Sequence, residues 1–199
     1  MPDPLEGVEA ERLFRHGLGM ADRGDLLRGE QYIVAAIERG YPVEDALPHL
    51  LDVCVRAERY PEALRHAEPF LRSHPDRWAL RYVVATLHMG LGHRERARAE
   101  LERVIHDAPE APQPYFTLGM LHRDFLDDPE GARQYFTRYL ELAPDGDHAA
   151  EVRSWMDYSE QPSITRLPSH EEPPAPSSPA PSPPNEEAVE PEPPQGDMS

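Results

Sequence analysis

The stretch Arg77–Ala111, RWALRYVVATLHMGLGHRERARAELERVIHDAPEA, returns in outline when the sequence is shifted by 34 residues. Ala85, Ala97 and Pro109 mark it. Leu51, Ala63 and Pro75 stand at the same places one unit earlier, and Gly119, Ala132 and Pro144 one unit later. Apolar residues within the unit follow helical spacing, Gly92 interrupts them, and proline closes the unit. A helix–turn–helix unit of this length cannot bury its apolar face alone, so it stacks on copies of itself. The recurrence therefore predicts an all-α solenoid.

The units divide the chain into a leader over 1–9, repeats over 10–43, 44–77, 78–111 and 112–145, and a capping helix over 146–159. A tail over 160–199 follows. The first repeat is the least regular. Leu13, Phe14, Gly17 and Met20 share one helical side, Gly24-Asp25 turns the chain, and Ile33, Ala36 and Ile37 face inward. Gly29 stands where later units carry alanine, and Tyr41-Pro42 replaces the closing proline. In the second repeat Leu47, Leu50, Leu51 and Cys54 form a stripe; Ala63, Ala67, Phe70 and Leu71 form the next. The fourth carries one extra residue in its turn, and Asp128-Pro129-Glu130 is a strong helix start. Val152, Trp155 and Met156 give the capping helix an apolar face.

Half of the 24 prolines fall after Gln161, among Glu, Ser and Ala. Such a composition buries too little apolar surface to offset ordering entropy, so the tail is expected to be disordered. Its PPAPSSPAPSPP run has the spacing read by proline-binding grooves, and Ser163 and Thr165 beside Arg166 are candidate phosphorylation sites.

The formal net charge of −17 disfavours nucleic-acid backbones and anionic membranes. All 20 basic residues are arginine, which removes Schiff-base and lysine phosphate-loop chemistry. Lack of lysine suits a GC-rich coding sequence and hence a bacterial source. No basic-then-apolar leader or long apolar run is present, so a cytoplasmic location without membrane insertion is expected. The ten histidines form no HExxH and no i,i+4 pair. His88 and His122 read as packing residues, and Cys54, the single cysteine, as a small buried hydrophobe. The run Arg94–Arg103 interleaves acids and reads as an ion-paired surface. With no catalytic motif, no enzyme, cofactor or metal is expected; a metal-dependent enzyme is the distant rival.

Three units in register resemble the tetratricopeptide repeat family: Val84-Ala85, His88, Ala97, Leu101 and Pro109, then Tyr115, Leu118-Gly119, His122, Ala132, Phe136 and Pro144. The resemblance covers about 10–145 and implies a right-handed solenoid whose first helices line a concave, partner-binding groove. On this chain that face maps to Phe14, Leu18, His49, Asp52, Tyr82, Thr86, Met89, Phe116, Met120 and Arg123. The family's carboxylate clamp of Lys and Asn is missing, since Phe14, Tyr82 and Phe116 and Leu18, Thr86 and Met120 occupy its slots. The resemblance implies a protein-interaction adaptor or scaffold, with a dedicated chaperone or assembly factor for a secreted or motility-apparatus protein as the alternative.

Overall fold

A computed structural model describes residues 4–160, with side chains from Glu9 to Ser159. Among the described residues it contains nine α-helices and no strand: α1 (Pro4–Asp22), α2 (Leu26–Glu38), α3 (Val43–Arg56), α4 (Tyr60–Ser73), α5 (Trp78–Gly90), α6 (Arg94–Asp107), α7 (Pro112–Phe125), α8 (Pro129–Leu142) and α9 (Ala149–Glu160). Successive helices pack in pairs, each pair stacks on the next, and α9 lies on α8. The result is a right-handed solenoid of four helix pairs. Two limits differ from the sequence reading. α1 begins at Pro4, inside the expected leader, where proline suits a first turn. α9 includes Glu160, the first residue of the expected tail. The rest of the tail reading, with its PxxP run, Ser163 and Thr165, lies outside the described residues.

The 34-residue period has a backbone cause. Within the first three pairs the chain turns through a residue of positive φ: Gly24 (85°), Glu58 (56°) and Gly92 (73°). The next amide donates to the carbonyl five residues back in each case: Asp25 to Met20 O at 3.0 Å, Arg59 to Cys54 O at 2.8 Å, His93 to His88 O at 2.9 Å. This is the left-handed helix stop that satisfies orphan carbonyls. In the fourth pair the left-handed residue is Asp127 (φ 50°), and Asp128 N donates to His122 O at 3.1 Å, so the extra residue sits inside this turn. Asp128 then caps α8, accepting from Gly131 N at 2.9 Å.

Close packing falls on the recurring small residues. Ala63, Ala97 and Ala132 are completely buried. In the first pair both slots shrink to glycine: a Cβ on Gly17 would lie 3.0 Å from the Gly29 carbonyl oxygen, so α1 and α2 meet backbone to backbone. One apolar core runs from α1 to α5 through Ile33, Leu50 and Leu71. Leu101, Leu118 and Leu121 carry it across α5–α7, and Phe136, Tyr139 and Val152 finish it beneath α9.

Candidate functional site

A cavity of about 730 Å³ opens between α3 and α5, the first helices of successive pairs. α3 supplies one helical face: Glu44, Leu47, Pro48, Leu51, Asp52 and Val55. α5 supplies Trp78, Ala79, Leu80 and Val83, and Phe70 of α4 reaches the floor. Leu47 and Leu51 are buried, whereas Val55 and Trp78 remain 40% and 39% exposed, large apolar surfaces left open to solvent. The rim is charged: Glu44, Asp52 and Asp76 against Arg77, whose guanidinium lies 3.7 Å from Glu44. Pro48 has no N–H to give the helical ladder, so α3 is one donor short beside the cavity.

Of the ten residues mapped to the concave face, Asp52 lines this cavity; it also pairs with Arg56 at 3.3 Å. Phe14 is buried, stacked on Tyr41 at 4.2 Å with its edge toward His49 at 5.4 Å. Leu18 is half-buried against the same core and His49 is exposed. The Tyr82 hydroxyl lies 2.9 Å from Thr117 Oγ1 and so ties α5 to α7. Thr86 donates to Val83 O at 2.8 Å, and Met89 is half-buried beside Leu101 and Leu121. Phe116 stacks on His148 at 3.9 Å, nearly parallel at 6°. Met120 packs with Phe136 and Trp155, and Arg123 pairs with Asp124 at 2.6 Å and with Glu151 of α9 at 3.6 Å. The C-terminal part of the mapped face thus meets the capping helix and the turn before it. Val55, Phe70 and Trp78 were not among the mapped residues. Their signal was faint: Trp78 stands at the first position of its repeat, where the turn leaves its ring uncovered.

The candidate reactive groups sit in the core. Burial, with help from the Glu30 carboxylate, pushes the Cys54 thiol up to about 12, far from nucleophilic at neutral pH. His88 is 4% exposed, and burial lowers its pKa. His122 faces Asp128 at 2.9 Å and Tyr135 at 5.0 Å; Asp128 is held below the usual carboxylate range, first by the Gly131 amide and then by His122. Arg81 is buried between pairs, donating to Glu100 at 2.8 Å and to Pro75 O at 2.9 Å. Among the described residues no helix is long and apolar enough to cross a membrane.

Four stacked helix pairs, with left-handed turns at Gly24, Glu58, Gly92 and Asp127, define a helical-repeat solenoid. A tetratricopeptide repeat family model matches residues 55–118, and over that stretch the chain is similar to this family. No curated protein matches it. Among solved structures it is similar to YrrB, described as a TPR protein with an unusual peptide-binding site (15% identity, TM-score 0.63, 73% of this chain and 74% of that one). It is similar to MamA from Desulfovibrio magneticus RS-1 (21% identity, TM-score 0.61, 69% and 77%). A tetratricopeptide repeat protein from Parabacteroides merdae ATCC 43184 aligns with TM-score 0.66 at 23% identity, over 75% of this chain and 59% of its own.

Proposed function

We propose that this chain is a non-enzymatic, cytoplasmic protein-interaction scaffold. It takes a partner segment into the cavity between α3 and α5. The observation that carries this reading is the cavity itself: an apolar floor, two exposed anchors in Val55 and Trp78, and an acidic rim. An apolar centre with a polar border is how protein interfaces are built, and aromatic residues dominate their energetics. The occupant is a helical or extended peptide with a bulky apolar side chain beside a basic one, which meets Glu44, Asp52 and Asp76. The peptide-binding site named for YrrB is in keeping with this reading. On α5 the proposed surface continues to Tyr82, Thr86 and Met89.

The test is selection of peptides from a displayed library on the folded chain, followed by affinity measurement on two variants. Trp78→Ala should weaken selected peptides by about 2 kcal/mol, roughly thirtyfold. Val55→Arg should do likewise through charge repulsion of the basic residue. Helical circular dichroism should be unchanged in both, since both side chains are exposed. Peptides that ignore these changes but lose affinity with Tyr82→Ala would move the site off the cavity along α5.

A further inference from the structure

Glu30 on α2, Cys54 on α3 and His66 on α4 bring a carboxylate oxygen, a thiol sulfur and an imidazole nitrogen within 4.8 Å of one another. The three donors come from three successive helices, so no linear spacing reveals them. Glu30 and Cys54 are buried, and the His66 side chain is 24% exposed, which leaves a path from solvent. Arg59 holds Glu30 Oε2 at 2.6 Å and thereby orients the carboxylate. The other oxygen, Oε1, lies 3.8 Å from His66 Nε2. That nitrogen is buried and has no hydrogen-bond partner.

Donors about 2.0–2.3 Å from one ion at a tetrahedral site stand roughly 3.3–3.8 Å apart. The Glu30–His66 pair is already at that separation, and the widest gap has to close by about 1 Å, a small side-chain adjustment. We infer that Glu30 Oε1, Cys54 Sγ and His66 Nε2 form a site for one zinc-class divalent cation, with water as the fourth ligand. Thiolate, imidazole and carboxylate together suit zinc or cobalt(II) and not magnesium or calcium, which seek oxygen alone. On binding, the Sγ–H proton passes to solvent as the sulfur–metal bond forms; a coordinating thiol is deprotonated outright by the ion. Charge closes locally: the dication is matched by the thiolate and Glu30, and Arg59 by Glu62 at 3.4 Å. The ion clamps the second helix of the first pair to both helices of the second pair, tying down the most glycine-rich repeat.

The test uses the untagged full chain, titrated with cobalt(II) and then zinc. One equivalent of cobalt should produce a thiolate-to-metal charge-transfer band, which zinc should abolish by displacement. Only Cys54 can give this band, because the chain has 1 cysteine. Zinc should also raise the thermal midpoint. Cys54→Ala should remove the band, and His66→Gln should weaken cobalt binding about tenfold or more, both with helical circular dichroism retained. Cys54→Ser serves as a second variant at the sulfur. Absence of the band at saturating cobalt overturns the site. So does metal uptake that is unchanged in Cys54→Ala and His66→Gln, which assigns binding to surface histidines.

Discussion

Gly119 of α7 lies directly against the ring of Phe136 on α8: a Cβ at Gly119 would stand 2.4 Å from Phe136 Cδ1 and from Cε1. The ring has nowhere to go. It is completely buried, with Trp155 edge-on at 5.2 Å and Phe116 at 6.0 Å. Gly119→Ala is therefore expected to destabilise by about 1–3 kcal/mol through overpacking, despite the better helix propensity of alanine. Urea unfolding would measure it. A gain in stability would mean that α7 and α8 have room for the added methyl group.

The turn residues make a second test. Glu58 occupies at φ 56° the position that glycine holds at Gly24 and Gly92. Glu58→Gly should stabilise the domain by about 0.5–1 kcal/mol, the relief of a left-handed side chain less the added freedom of the unfolded chain. Gly92→Ala should cost about 1 kcal/mol by the same argument. Opposite signs in chemical unfolding are the expected result. Equal signs would break the equivalence of the two turns.

Phe116 contributes stability whether or not it meets a partner. Its ring is sandwiched by His148 and lies 5.5 Å from Tyr139, joining α7 to the turn before α9. Phe116→Ala is expected to cost about 2 kcal/mol and to loosen α9 first. Hydrogen exchange should show faster exchange over Ala149–Tyr158 than over α5 and α6. Uniform acceleration would mean that α9 unfolds only with the whole domain.

Stability should fall on the acid side through His88. Burial is the main reason its pKa lies below the ordinary 6.5; Glu68, 3.7 Å from its Nε2, opposes this, while Arg96 and His93 reinforce it. The unfolded chain then binds more protons than the folded one between the folded pKa and 6.5. The contribution of the neutral imidazole is complete above 6.5 and is lost as pH falls through that window. Thermal midpoints should drop as pH falls below 6.5, and His88→Gln should flatten the slope. The same slope in both proteins would assign the loss to other groups.

The register of the solenoid was legible because it is a local matter. Gly24, Gly92, Ala63, Ala97 and Pro75 mark places where backbone sterics allow few residue types, and such constraints read directly from one-dimensional spacing. Helix ends were legible in part. Asp128 announced α8, whereas Pro4, which suits a first turn, was assigned to the leader.

What the sequence alone determined about this protein is the repeat: its length, its turns, its small-residue contacts and its likeness to the tetratricopeptide repeat family. What only the tertiary structure decided is which side chains from different helices share a space. Val55 and Trp78 face one cavity because α3 and α5 stack side by side, and Glu30, Cys54 and His66 converge because α2, α3 and α4 do. Phe116, mapped to an open groove by its slot, stacks on His148 because the turn into α9 folds over the last pair. Periodicity assigns a residue to a face of its own helix. The rotation of one helix against another follows from how all the side chains between them pack, and no short-range pattern encodes it.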